Sequence, residues 1–462
     1  RFFNIITPDM IRNFLLGVLG LAGLLWVSSA GANPFEKTLS NGLRVIVKED
    51  HRAPTVVHMV WYGVGAMDEV DGASGLAHVL EHMMFKGTRK LGPGEFSKQV
   101  AALGGRDNAF TNLDYTAYFQ LIPKRALAQV MALEADRMAN LKLDEKEFAQ
   151  EIKVVMEERR LRTEDDPGAL LNERLNAVAF QSHPYRRPVI GWMNDLENMT
   201  WRDAQDWYRR WYAPNNATLV VVGDVEHTAV FRLAEQTYGA IARRPLPQRR
   251  PLAEPAQLGV KRLSVKAPAK LPQVMMSWKV PRLKDVGRDR EPYALEMLVS
   301  LLDGHDASRL SRNLVRGQKI AQTAGAGYQS MLRGEAQFIL EGQPAEGRTV
   351  AELETALRNE LRLIQEEGVS AEELARVKTR SIASQIYKRD SMMAQAMEIG
   401  SAEVIGIGWR DIDKILDRIR NVTTEEVREV ARKYFRDERL TVAVLDPQPL
   451  AETAAKPAHS HH

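Results

Sequence analysis

The chain has 462 residues, 44% hydrophobic and 27% charged, a balance that supports at least two folded cores. Its formal charge of +3 is the remainder of 63 basic and 60 acidic residues mixed along the chain, which offers no polycationic face to nucleic acid. With no cysteine present, thiolate ligands, disulfides and a cysteine nucleophile are excluded, and any metal must be held by nitrogen and oxygen donors.

In chain order, an apolar run from Phe14 to Val27 follows Arg12 and leads into Ala30-Gly31-Ala32. The run is shorter than the roughly twenty residues of a comfortable spanning helix. Residues 1 to 32 are therefore expected to be an export signal cleaved before Asn33, with retention as an anchor the alternative. Residues 1 to 9, ahead of Met10, are expected to precede the natural start. Export of a cysteine-free chain points to a bacterial periplasm. Thr38-Leu-Ser-Asn-Gly-Leu-Arg-Val-Ile-Val47 reads as a turn between two strand-like runs, and Thr55 to Tyr62 as a further strand. Helices are predicted around His78, then over Pro93 to Leu103, Ala126 to Ala139, Glu145 to Leu161 and Thr200 to Tyr212, with a closing strand from Thr218 to Val222. Four prolines between residues 241 and 257 mark an extended linker, taken as 241–262. The Ala/Pro-rich segment 448–462 is expected to be a disordered tail.

Residues 263–447 look like a diverged copy of residues 33–240. Thr200 to Tyr212 followed by Thr218 to Asp224 parallels Thr423 to Tyr434 followed by Leu440 to Asp446, and Pro54 to Trp61 loosely matches Pro272 to Trp278. With Ala77 set on Ala294, the positions of His78, Glu81 and His82 hold Leu295, Leu298 and Val299. The second copy keeps aliphatic residues where the first has chemistry, so a single metal ion per chain is expected.

The chemistry is concentrated in Gly75-Leu-Ala-His-Val-Leu-Glu-His-Met-Met-Phe-Lys-Gly-Thr88. Residues four apart share a helical face, so His78 and His82 direct two imidazoles at one ion. Glu81 is within reach of a water on that ion as general base. This H-x-x-E-H order reverses the H-E-x-x-H of zinc proteases. Two imidazoles and a carboxylate suit Zn²⁺, whose catalytic sites take three protein ligands and a water. Ser74 is the expected helix cap, with Leu76, Val79, Leu80 and Met83 facing the core. For the third ligand, Glu151, Val154, Val155 and Glu158 follow helical spacing and form one inward stripe, where an unpaired charge is costly unless something binds it. Glu157 falls with Lys153 and Arg160 on a solvated face. Glu158 is therefore the expected ligand, and Glu151 an auxiliary carboxylate.

Residues 78–88 together with Glu151 to Arg159 resemble the M16 (pitrilysin and insulinase type) metallopeptidases, in the short bacterial branch close to the mitochondrial processing peptidase. Glu158 stands 76 residues after His82, and Glu151 seven before Glu158, the separations that family uses for its ligand and auxiliary glutamate. Gly104 to Thr111, His183-Pro-Tyr and Tyr212 to Asp224 agree with it. The resemblance implies an α+β fold of two homologous α/β rolls, each a mixed sheet with helices on one face, forming half of a clamshell chamber. It also places Asn108, Ala109 and Phe110 beside the zinc as substrate contacts. The run Tyr115 to Ile122 reads either as an edge strand, to which a peptide adds by backbone hydrogen bonds, or as a core strand behind a Gly-Gly turn. The family's Arg and Tyr, seven apart in the second half, find Arg316 at the first place but Thr323 at the second, with Tyr328 five residues later. Either Tyr328 serves, or a zinc-less partner subunit supplies the pair in a heterodimer; a homodimer is the other arrangement. The expected function is a zinc endopeptidase. The rivals are a catalytically silent structural subunit and a metal-dependent peptide-binding protein.

Overall fold

The computed structural model describes residues 34–450, so the expected export signal and the tail from Ala451 onward lie outside the described residues. The predicted elements of the first half agree with the observed ones to within two residues, and β11 runs to Gln448, the first residue of the expected tail.

Two mixed sheets carry the fold. The first comprises β1 (Phe35–Thr38), β2 (Arg44–Glu49), β3 (Thr55–Tyr62), β4 (Arg106–Thr111), β5 (Thr116–Pro123) and β6 (Ala217–Gly223), in the order β1-β2-β6-β3-β5-β4. The second comprises β7 (Lys261–Pro268), β8 (Gln273–Val280), β9 (Ala321–Tyr328), β10 (Ala336–Pro344) and β11 (Leu440–Gln448), in the order β7-β11-β8-β10-β9. Only β2 with β6 and β7 with β11 run parallel. Without β1, a hairpin arm on β2, the two orders coincide. The duplication read from the sequence is thus a duplication of topology.

Of the two readings of the run Tyr115 to Ile122, the core strand holds and the edge strand is corrected. The strand at residues 116–123 is interior, paired to β3 on one side and β4 on the other, and the sheet edge is β4. The alternation that suggested an edge has another cause: β5 buries Tyr118 and Ile122 under the helices and packs Ala117, Phe119 and Leu121 on the opposite face.

That opposite face explains β3, which is buried along almost its whole length. Val56, Val60 and Tyr62 pack under the helices of the first half, while Val57, Met59 and Trp61 face Ala396, Ile399 and Ala402. Those three belong to helix Met392–Val404 of the second half, which lies across β6 and β3. Reciprocally, helix Pro167–Ala179 of the first half lays Leu171 and Leu175 on Ala267, Met275, Ala443 and Leu445 of the second sheet. Each half covers one face of its sheet with its own helices and lends one helix to the other half. A sheet covered on both faces reads as a near-continuous apolar run rather than an alternating one. No helix among the described residues is long and apolar enough to cross a membrane.

Candidate metal centre

The histidines stand on the helix Leu76–Met83, whose start is fixed by backbone geometry. Gly75 takes φ of +87°, and a Cβ there would stand 2.6 Å from the Ile190 carbonyl oxygen, so glycine is required. Ser74 is not the cap. Its hydroxyl donates to Asp195 (2.6 Å) and accepts from the Trp192 amide (2.9 Å). The helix is instead capped from a distance by the buried Glu69 carboxylate, which accepts from the amides of Gly75 (2.9 Å) and Ala77 (2.8 Å). Burial pushes Glu69 up to about 8, against the pull of those two amides and the Arg187 guanidinium. Leu76, Val79, Leu80 and Met83 enter the core as expected, which turns His78, Glu81 and His82 to the other side.

The carboxylates come from the helix Glu145–Arg159, capped by Asp144, which accepts from the amides of Lys146 and Glu147. Its inward side carries Glu151, Val155 and Arg159, with Glu158 half-buried. Val154, expected on this stripe, is 51% exposed, because from Glu151 onward the buried residues, Val155 and Arg159, recur at intervals of four. Glu157 is solvated and paired to Arg160 at 3.0 Å, as expected. A wide π-type turn at Arg160–Glu164 then returns the Arg162 guanidinium to Glu158 Oε1 at 2.7 Å.

The two helices bring three donor atoms together. Glu158 Oε2 lies 3.3 Å from His82 Nε2 and 3.8 Å from His78 Nε2, and the ligand atoms of all three residues fall within 4.8 Å of one another. Atoms tetrahedrally placed about 2.0 Å from zinc are separated by roughly 3.3 Å, so the set fits such an ion with little movement. His82 Nδ1 bonds Glu151 Oε1 at 2.8 Å, which fixes the ring, and Lys86 pairs with the other Glu151 oxygen. His78 Nδ1 is buried without a hydrogen-bond partner.

Burial, with His82 and Arg162 nearby, lowers the His78 imidazole to about 3 and so keeps it neutral, the form that ligates. Burial acts in the same direction on His82, but the Glu151 bond and the surrounding carboxylates outweigh it and raise that ring. For Glu151, His82 and Lys86 overcome burial and hold the carboxyl low. Burial raises Glu81, although its Oε2 accepts from Thr111 Oγ1 at 2.5 Å. A half-buried carboxyl with elevated pKa beside two imidazoles can accept and return a proton.

The remaining expected site residues are more scattered. Asn108, Ala109 and Phe110 lie on the edge strand β4, which packs against the histidine helix. Asn108 is exposed, and its side-chain oxygen accepts from the Ala109 amide at 2.8 Å. Ala109 packs on the helix side, whereas the Phe110 ring packs with Trp61 and Tyr115 on the opposite face. Arg316 is exposed and donates to the Asp306 carbonyl. Thr323 is exposed on the edge strand β9, and the Tyr328 hydroxyl donates to the Pro281 carbonyl at 2.6 Å. Neither Arg316 nor Tyr328 shares a hydrogen bond with the metal-site residues.

Sequence reasoning missed Thr111, Lys86, Arg162 and Glu69. Lys86 and Arg162 each stand four residues after a metal-site residue, just past the ends of the two helices, a spacing common to many charged segments. Thr111 and Glu69 reach the site only through the fold.

The two mixed sheets with their helices agree with the fold of known proteins. Residues 44–192 match the family described as Insulinase (Peptidase family M16), and residues 198–381 match Peptidase M16 inactive domain. The chain belongs to peptidase family M16. It is 31% identical over 425 residues to the zinc protease PqqE of Helicobacter pylori, covering 89% of this chain and 92% of that one. It is 23% identical over 410 residues to the zinc protease YmxG of Bacillus subtilis, covering 89% and 97%. A protease structure from Helicobacter pylori superposes with a TM-score of 0.85 at 30% identity, covering 90% of this chain and all of the other. The periplasmic protease PqqL of Escherichia coli shares the fold (TM-score 0.77, 20% identity), with 91% of this chain spanning 49% of that one.

Proposed function

We propose that the chain is a zinc-dependent endopeptidase acting on peptides or unfolded segments, with one zinc held by His78, His82 and Glu158. The observation that carries this reading is the convergence of two imidazole nitrogens and one carboxylate oxygen beside the half-buried Glu81. Zinc bound there supplies a Lewis acid for the scissile carbonyl and a water whose pKa falls to about 7. Glu81, oriented by Thr111, takes a proton from the attacking water as the new C–O bond forms. It then delivers a proton to the leaving amine as the C–N bond breaks. Glu151 holds the His82 ring through Nδ1, and Lys86 and Arg162 balance the negative charge of Glu151 and Glu158. An extended peptide adds to the open side of β4, where backbone hydrogen bonds select for chain extension rather than sequence.

The functional unit in this reading is a dimer of chamber halves, exported to the periplasm. Support comes from the half-length span on PqqL, described as periplasmic, and from the second half of this chain. Threonine at 323 is too short to replace a phenol across a cleft, and the Tyr328 hydroxyl is already engaged. A zinc-less partner bearing an Arg/Tyr pair completes the site.

Two measurements test the reading. Glu81→Gln keeps zinc and peptide affinity but lowers turnover by about a hundredfold or more; near-normal hydrolysis removes Glu81 from the mechanism. Peptide turnover, measured beside light-scattering mass, should be weak for the chain alone and should rise with the partner subunit or with Thr323→Tyr. Full activity as a homodimer, unchanged by Tyr328→Phe or by any partner, rejects the split-task arrangement.

A further inference from the structure

We propose that Arg333, on the connection between β9 and β10 of the metal-free half, is a positioning residue for the metal centre of the other half. The proposal rests on the metallopeptidase reading for its consequence in catalysis, but its structural core does not.

The Arg333 guanidinium enters the first half and grips Asp68 with both terminal nitrogens, at 2.9 and 3.2 Å. It also donates to the Asp114 carbonyl at 2.8 Å, while the Arg333 amide donates to Asp114 Oδ2 at 3.0 Å. The side chains of Asp68 and Arg333 are 4% and 14% exposed, so this is a desolvated, two-pronged pair rather than a surface bridge. Arg249 from the linker adds a second cation on Asp68 at 2.6 Å, and the Tyr185 hydroxyl bonds Asp114 at 2.5 Å and accepts from the Gly334 amide at 2.8 Å.

What gives the pair its reach is the place of the two aspartates. Asp68 immediately precedes Glu69, whose carboxylate holds the Gly75 and Ala77 amides at the first turn of the histidine helix, and His78 is the next residue. Asp114 lies in the turn between β4 and β5, three residues after Thr111, which bonds Glu81. The two segments are stitched together by Ala66 N to Asn112 O (3.1 Å) and Met67 N to Leu113 O (2.8 Å). One guanidinium from the metal-free half therefore fixes both the origin of the ligand helix and the turn behind the general base. An arginine that merely joined the halves would not need to hold those two segments together.

Hydrogen exchange on the metal-free full chain separates positioning from adhesion. Arg333→Met is compared with Gln337→Leu, which removes another contact between the halves, Gln337 Nε2 to Asn176 Oδ1 at 2.7 Å, away from the histidine helix. In Arg333→Met the amides of segments 69–83 and 111–116 exchange about tenfold faster or more, while those of 145–159 change little. In Gln337→Leu all of these segments keep their rates. With zinc loaded, release to a chelator is about tenfold faster for Arg333→Met, kcat falls with KM nearly constant, and Arg333→Lys, which keeps the charge but loses the fork, restores part of both. If Arg333→Met does not fold, Arg333→Lys carries the same comparisons at smaller amplitude. Unchanged exchange at 69–83, or equal acceleration in Gln337→Leu, overturns the proposal. Failure of the wild-type chain to bind zinc would instead reject the metallopeptidase reading, leaving the exchange result to decide this one.

Discussion

The two halves of the molecule share a strand order and even share caps, yet among the described residues only the first holds a cluster of metal donors. Thr200 with Asp203 and Thr423 with Glu426 form the same capping arrangement ahead of Trp201–Trp211 and Thr424–Tyr434. Where the first half has His78, Glu81 and His82 on an eight-residue helix, the second has Leu295, Leu298 and Val299 on Glu291–Asp303, the two leucines fully buried. Aligning the caps Asp144 and Ser370 sets Glu151 on the buried Val377 and Glu158 on Ser384. Aliphatic side chains fill such a space without partners. Buried polar ones need hydrogen bonds or an ion, and around His78, Glu81, His82, Glu151 and Glu158 the first half provides Thr111, Lys86 and Arg162. The same backbone therefore carries a cluster of metal donors in one half and an apolar core in the other.

Substitutions at matched positions break this comparison most strongly. His78→Ala, His82→Ala or Glu158→Gln each lose most of the zinc and the turnover, with little effect on metal-free folding. Leu295→Ala keeps zinc and instead lowers unfolding free energy by about 2–5 kcal/mol. Glu157→Gln keeps both, because its only described partner is the exposed Arg160. Metal analysis beside denaturant unfolding checks the set, and zinc loss in the Glu157 variant with retention in the Glu158 variant would reverse the ligand assignment.

A smaller effect tests whether the halves are separate folding units. Gly400 lies on the lent helix Met392–Val404, and a Cβ there would stand 2.0 Å from the Trp61 ring of the first sheet. Gly400→Ala should destabilise by about 1–3 kcal/mol through overpacking. Because the two helices are exchanged, one common unfolding transition shifts; a shift confined to one of two transitions would show halves that fold independently.

The last effect concerns pH and is confined to the acid range. Burial lowers His183 from 6.5 to about 4, partly opposed by Glu254, and its Nδ1 accepts from the Tyr185 amide at 3.2 Å. The unfolded chain then binds a proton that the folded chain does not, so this contribution is complete above pH 6.5 and is lost as pH falls towards 4. The ring stands where Gly334 of the second half approaches it. His183→Asn should flatten the stability curve in that window, as measured by denaturant midpoints; an unchanged slope would remove His183 from the acid response.

Much of the site was legible because it is local. The spacing of His78, Glu81 and His82, and the solvated character of Glu157, follow from helical periodicity acting over a few residues. The boundaries of β3 and β6 were equally plain, since both are apolar runs ended by polar or glycine residues. Val154 was misplaced because heptad-like spacing leaves two neighbouring residues equally eligible for one stripe, and only the packing of the helix chooses between them.

Sequence alone determined the family, the duplicated half, the metal motif and the absence of thiol chemistry, because each is carried by residue type at short spacing or by repetition. Tertiary structure decided the rest. It made β4 rather than β5 the sheet edge, replaced Ser74 by Glu69 as the helix cap, and exchanged helices Pro167–Ala179 and Met392–Val404 between the halves. Above all it set Arg333 on Asp68, 265 residues away in the chain. Contacts between groups so distant are fixed by which surfaces meet when two cores pack, a property with no period along the sequence.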